Sequence, residues 1–252
     1  MHVLLPRSSH HGLERFQKSW QDYHSGFPFR PLTSVNFRKI KSRENPHEIA
    51  VTPLSNHPEK NIIRVELRHN ALLKDLSDGD RSELEAHLVI ADGNKGDVLL
   101  NQGVREMEQY FILDGILKRV VSNPEGKEMI LRFADRHDME TSYAALRLGT
   151  PTPYGIVCVT KARVASMPLQ EWIAFLDKRP ATKELFELSV MRGMGEIMAH
   201  TITLHLLDAP GRVHRFMRKH PDLVDRIPSK ELASYLNLSA ETLSRLKKRG
   251  KI

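Results

Sequence analysis

The sequence predicts an α+β chain made of a small antiparallel β-roll of jelly-roll type, one long amphipathic helix and a C-terminal helix-turn-helix, in that order. Three observations predict it. Between residues 95 and 167, short apolar runs are punctuated by Gly96, Gly103, Gly115 and Gly126, as short strands joined by tight turns are. From Lys183 to Leu207, apolar residues recur at threes and fours, the period of one helix face. In the run from Ser229 to Arg249, two short periodic segments flank Asn237, a residue that tolerates the left-handed backbone of a tight interhelical turn.

The N-terminal residues 1–61 carry many Pro and His, few periodic apolar runs and a positive excess, so they are expected to form a loosely ordered extension, with a short helix around Leu13 to Tyr23 as its one ordered element. His2, His10, His11 and His24 have neither the spacing nor the helical context of a defined metal site. Residues 62–180 are assigned to the roll. Asn70 to Leu76 and Asp78 to His87 read as two short helices, with Leu72, Leu73, Leu76, Leu84 and Leu88 apolar. Strands follow at Lys95–Gly103, Gln109–Gly115, Ile116–Val121, Lys127–Phe133, Tyr154–Thr160 and Lys161–Met167. Strands this short at regular spacing make a small barrel or jelly roll.

Residues 181–209 form the long helix, which a small roll cannot bury along its whole length. Its stripe of Leu188, Met191, Met194, Ile197, Met198 and Ile202 fits a parallel dimer seam, although such a stripe also serves as plain core. Gly193 and Gly195 lower helix propensity but permit close approach of a partner helix. Pro210-Gly211 is expected to break the helix and act as a hinge.

Residues 210–252 are assigned to the helix-turn-helix. Leu232, Ala233 and Leu236 supply the first helix's contacts and Leu238, Leu243 and Leu246 the second's, while Ser229 and Ser239 stand where N-caps are wanted. From Gly211 to Ile252 there are eleven Lys or Arg against Asp222, Asp225, Glu231 and Glu241, a net +7 equal to that of the whole chain. So concentrated a basic face points to a phosphate polyanion, because neutralising phosphates releases condensed counterions. Double-stranded DNA is therefore the expected partner. Ala240, Glu241, Ser244, Arg245 and Lys248 point away from the apolar face and are the candidate base readers: Arg245 can fork onto guanine, Glu241 can accept from cytosine and Ala240 can touch a thymine methyl. Ser229, Lys230, Ser239, Lys247 and Arg249 are the candidate phosphate contacts. Glu241 and Arg245 also have the spacing of an ordinary i,i+4 ion pair.

Several classes are excluded or disfavoured. No apolar stretch is long enough to span a bilayer, and the N-terminus lacks the apolar core of a secretory signal, so a cytoplasmic protein with no membrane partner is expected. Cys158 is the single cysteine, which leaves no intrachain disulfide and no four-cysteine iron-sulfur or zinc site.

The order of elements, with the run Leu238-Ser-Ala-Glu-Thr-Leu-Ser-Arg245 and the Gly96-Asp97 and Tyr110-Phe111…Gly115 signatures, resembles the cyclic-AMP receptor protein/fumarate-nitrate reductase regulator (CRP/FNR) superfamily of bacterial transcription factors over residues 63–252. The resemblance implies a cyclic-nucleotide-binding-like sensor, a dimerisation helix and a winged-helix-like DNA module acting as a homodimer on pseudo-palindromic DNA, with RNA polymerase as a further candidate partner. It implies base-reading roles for Glu241 and Arg245. Ala240 stands where the cyclic-AMP receptor branch carries an arginine, so a different operator is expected, and the strand pair after the recognition helix is absent or shortened. The family's phosphate-binding Gly-Glu turn and Arg-Ser-Ala element are not evident in His137–Ser142 or Thr150–Gly155, where Pro153 or Tyr154 replaces the arginine. Cyclic AMP is accordingly not expected, and the effector stays unknown. Met129, Leu131, Tyr154 and Met194 are candidates for a more apolar pocket, with filled core as the alternative. Haem, for which His137 or Cys158 could be ligands, is not supported. The reading is of a regulator and not an enzyme. Two alternatives stand beside it: a cupin-like metal-dependent enzyme, which would need paired histidines and a carboxylate on neighbouring strands, and a constitutive DNA-binding protein without an effector.

Overall fold

The computed structural model describes residues 49–248, so the expectations for residues 1–48 and for Arg249 lie outside the described residues. Two antiparallel sheets form the roll. The first comprises β1 (Val51–Pro53), β2 (Val89–Gly93), β9 (Ala162–Pro168), β4 (Glu108–Asp114) and β7 (Met139–Thr141), in that spatial order; the second comprises β3 (Val98–Leu100), β8 (Gly155–Cys158), β5 (Leu117–Ser122) and β6 (Glu128–Ala134). Between the sheets lie Leu100, Tyr110, Ile112, Leu117, Ile156, Cys158 and Val164. Each comes from a strand whose alternate residues reach the interior, as the two-residue period of a strand requires.

Helices cover the outer face of the first sheet. They are α1 (Lys60–Leu67), α2 (Asp78–His87), α4 (Leu169–Asp177) and the N-terminal part of the long α5 (Pro180–Leu206); α3 (Tyr143–Leu148) packs at its edge. The centre of this second core is Trp172, fully buried, with Phe111 at 5.3 Å and Phe186 at 5.8 Å edge-on and Phe175 stacked at 5.4 Å. Helix α2 starts where Ser77 Oγ accepts from Asp80 N at 3.1 Å, with Asp78 and Asp80 in the first turn, which suits the positive end of the helix dipole. Arg179, at the α4–α5 junction, donates to Asp80 at 2.6 Å and Glu83 at 2.7 Å and so fixes the departure of α5 from the roll.

The structure departs from the sequence reading in four places. Residues 51–61, assigned to the loose extension, contribute β1, a 3-10 turn at Leu54–Asn56 and the start of α1; Val51, Thr52 and Pro53 pair with Ala91, Ile90 and Val89. Asn70 to Leu76 is a run of turns and no helix, because the buried Asn70 side chain accepts from Leu72 N at 3.0 Å and donates to His137 O at 2.9 Å, offering the backbone an alternative to helical bonding. Strands β2 and β7, helices α1, α3 and α4, and the helix Ala209–Lys219 are additional to the elements that the sequence predicts. The helix breaks at Leu207-Asp208, not Pro210-Gly211: Leu207 is extended, Asp208 caps the next helix by accepting from Gly211 N at 2.9 Å, and Pro210 lies in the first turn of α6 (Ala209–Lys219), where its missing N–H costs nothing.

The turn joining β4 to β5 depends on Gly115, at φ 86°, where an added Cβ would lie 2.3 Å from Lys161 O. Gly115→Ala is expected to destabilise the chain by about 1–3 kcal/mol from the left-handed backbone alone, with the clash adding to it, measured as a lower urea midpoint at unchanged m.

Candidate nucleic-acid interface and the interior of the roll

Helix α7 (Ser229–Tyr235) and helix α8 (Ala240–Lys248) are joined through Asn237, which holds the left-handed conformation at φ 52°. Ser239 Oγ accepts from Thr242 N at 3.0 Å and caps α8. The cap of α7 is Pro228 and not Ser229; its ring fixes φ ahead of the helix, and Ser229 becomes the first helical residue. Arg212 ties the turn to the end of α5 by donating to Leu236 O at 3.2 Å and Leu207 O at 2.9 Å. On α8, Leu243 is 1 % exposed and packs with Leu232, Leu236, Val213 and Phe216. Its burial turns the opposite edge outward. Ala240, Glu241, Ser244, Arg245 and Lys248 are all exposed there, and Ser229, Lys230, Ser239 and Lys247 are exposed as well. Arg245 Nη2 donates to Thr242 Oγ1 at 3.3 Å rather than pairing with Glu241.

The helix-turn-helix is seated on the outer face of the second sheet. Ile116, Ile130, Phe133 and Val159 of the roll share one apolar cluster with Val213, Phe216, Tyr235 and Leu236, and the Phe133 ring lies 5.0 Å from that of Tyr235. Two ion pairs frame this contact: Lys118 Nζ to Glu231 at 2.8 Å and Arg226 Nη2 to Asp135 at 2.8 Å.

Along α5, Leu188, Met191, Met194, Met198 and Ile202 are between 46 % and 64 % exposed and Ile197 is half-buried, whereas Phe186 and Thr203 on the other side are buried. The exposed residues form one apolar stripe without cover from the described residues of the chain.

The four candidate pocket residues do not converge. Met129 and Met194 are exposed on the outer surface at 51 % and 54 %, Leu131 is partly buried near Phe133, and only Tyr154 reaches the interior, where its hydroxyl donates to Thr141 O at 2.7 Å. The interior instead holds a charge pair that the sequence reading missed. Arg119 of β5 crosses to Glu140 of β7 with Nε at 3.0 Å, its guanidinium lies 4.1 Å from the Tyr154 ring centroid, and Arg132 Nε is 3.4 Å from the second Glu140 oxygen. Glu140 is 1 % and Arg119 8 % exposed. Burial works against the Arg119 charge, but Glu140 holds its pKa above the ordinary arginine value. A cyclic phosphate would need a buried cation of its own, and the guanidinium between the two sheets is already committed to a carboxylate, so these residues do not fit a cyclic nucleotide.

At the junction of α5, α6 and α7, His200 stacks on Tyr235 at 3.7 Å and 3° and its Nε2 lies 3.0 Å from Tyr235 O. Burial, with Lys219, His220 and Arg212 nearby, pulls its pKa down to about 4 from 6.5. A second site missed by the sequence reading joins Glu66, His69 and His137 at the edge of the roll. His137 lies in the turn after β6, so the paired strand ligands that a cupin needs do not form around it.

Comparison with known proteins shows what the roll and the chain are similar to. The cyclic nucleotide-binding domain family matches residues 94–179, the stretch from the turn before β3 to the start of α5. The cAMP-activated global transcriptional regulator CRP of Escherichia coli is 22 % identical over 160 residues, covering 60 % of this chain and 76 % of that protein. Among solved structures, the c-di-GMP-responsive global regulator CLP of Xanthomonas campestris superposes with a TM-score of 0.57 at 14 % identity, over 69 % of this chain and 92 % of that one. A structure from Eubacterium rectale assigned to the CRP/FNR family of transcriptional regulators does so with a TM-score of 0.59 at 14 % identity, over 72 % and 87 %. The roll is thus a cyclic-nucleotide-binding domain in fold, followed by a helix-turn-helix. In fold, the chain is similar to these regulators. No described helix is long and apolar enough to cross a membrane.

Two outcomes test these sites. Arg119→Met leaves the buried Glu140 with only the more distant Arg132 and is expected to cost up to about 3–5 kcal/mol; Arg119→Met/Glu140→Leu should recover part of that loss, read by urea unfolding. His200 has a folded pKa below its unfolded value, so its contribution is fully present above about pH 6.5 and is lost as the pH falls through about 4. In His200→Phe, the slope of stability against pH across that window should therefore be shallower, by up to one proton.

Proposed function

We propose that the chain is a sequence-specific DNA-binding transcription regulator that acts in the cytoplasm as a homodimer, with α8 as the recognition helix. The observation that carries this reading is the outward edge of α8: Ala240, Glu241, Ser244, Arg245 and Lys248 are exposed on one side of a capped helix whose other side is anchored by Leu243. A helix so presented fits the major groove, where a guanidinium and a carboxylate meet distinct donor and acceptor patterns. Ser229, Lys230, Ser239, Lys247 and Arg249 would set register on phosphates. The uncovered stripe of Leu188, Met191, Met194, Met198 and Ile202 supports pairing of two α5 helices, since removing it from water is favourable at about 25 cal/mol per Å² of apolar surface.

The Arg119–Glu140 pair between the sheets favours a regulator that takes no cyclic nucleotide, in which the roll serves as a scaffold between the seam and the DNA module. A response to another effector would require one with different affinities for two placements of the modules.

Arg245→Ala should weaken binding to the preferred DNA by about 5- to 150-fold, the equivalent of 1–3 kcal/mol of base recognition, with dimerisation unchanged. Lys247→Ala should weaken all sequences alike and reduce the salt slope by about one phosphate. Gel-shift titrations over a salt series distinguish the two, and an unaltered sequence preference in Arg245→Ala removes Arg245 as a base reader.

A further inference from the structure

We infer that Glu66, His69 and His137 form a binding site for one divalent transition-metal ion of the zinc class, at the edge of the roll and apart from the DNA-facing helices. The three residues offer two imidazole nitrogens and one carboxylate oxygen, all within 4.8 Å of one another. His137 Nε2 lies 3.3 Å and His69 Nδ1 3.9 Å from Glu66 Oε2, and the two rings are 5.0 Å apart. Metal bonds of about 2.0–2.1 Å at tetrahedral angles separate neighbouring ligand atoms by about 3.3 Å. One edge of that tetrahedron is therefore already in place, and the others are reached by small rotations of half-exposed side chains.

The backbone supports the same placement. His137 holds the left-handed conformation at φ 69°, one of two described residues other than glycine to do so. Its N–H donates to Ile112 O at 2.9 Å and its carbonyl accepts from Asn70 Nδ2 at 2.9 Å. A histidine costs more there than glycine, and such strain persists only where its surroundings enforce it. The turn thus presents the imidazole toward α1, which supplies Glu66, while His69 follows one residue after its C-cap. Imidazole and carboxylate suit zinc, cobalt or nickel better than a hard cation such as calcium.

Arg136 is the competitor. It donates to Glu66 Oε2 through Nε at 3.2 Å and Nη2 at 2.6 Å. His137 Nε2 approaches the same oxygen at 3.3 Å, so the guanidinium and the imidazole share one carboxylate atom. A metal ion would displace the guanidinium and take its place as the cationic partner. It would also join the end of α1 to the turn that carries Asp135, the partner of Arg226.

The test is isothermal titration of the full chain with zinc chloride, and of its cobalt form followed by visible absorption. The wild type should bind one more equivalent per chain than His69→Ala/His137→Ala, with a tetrahedral cobalt spectrum, and His10→Ala/His11→Ala should keep that equivalent. Arg136→Gln should bind about 10-fold more tightly. Equal uptake by the wild type and the His69→Ala/His137→Ala variant, or loss of the equivalent in His10→Ala/His11→Ala instead, overturns the site. Equal melting temperatures without metal confirm that the variants are folded.

Discussion

The orientation of α8 follows from the burial of Leu243. Beneath it, Leu232, Leu236, Val213 and Phe216 form an apolar cluster that continues without a break into Ile116, Ile130 and Phe133 on the outer face of the roll. Truncating a buried leucine of this kind typically costs about 2–5 kcal/mol, a large part of the stability of an ordinary domain. The helix has little freedom to rotate about its axis, since rotation would expose Leu243 or bury Arg245 without a partner. The same packing that stabilises the C-terminal module therefore selects which side chains it shows to solvent.

Charge is distributed in keeping with that arrangement. Residues 211–252 carry a positive excess equal to that of the whole chain, yet the cations that pair with carboxylates are largely those at the seat of the module, such as Arg226 with Asp135. On the roll side, Lys118 holds Glu231 and leaves Lys230, its neighbour in sequence, exposed. The basic side chains on α8 project into solvent. Inside the roll the logic is reversed: Arg119 and Glu140 neutralise one another between the sheets.

The helix-turn-helix and the long helix were legible because their signals are local. Asn237 needs a left-handed turn, Ser239 sits three residues before the amide that it caps, and the stripe from Leu188 to Ile202 repeats within a single helix. Strands β4, β5 and β6 were legible because glycines bound them. The remainder depends on distant partners. Strand β7 is three residues long with a buried glutamate at its centre, so no apolar alternation marks it, and Glu140 is tolerated only because Arg119 lies opposite it, 21 residues earlier. The leucines after Asn70 have helical spacing but are held in turns by that residue's side chain. Glu66 and His137 are 71 residues apart and come together only when the roll closes. Met129 and Met194 read as pocket residues because apolar character does not say which face of a strand or helix lies inside.

Selection of bound DNA from a random duplex pool tests the central claim most directly, because it presents every sequence to α8 at once. An outward α8 on each of two symmetric chains predicts an enriched inverted repeat whose half-site centres lie about 34–36 Å apart, one turn of B-DNA. Recovery of no enriched sequence at modest ionic strength, or of an asymmetric motif without a repeated half-site, would contradict it.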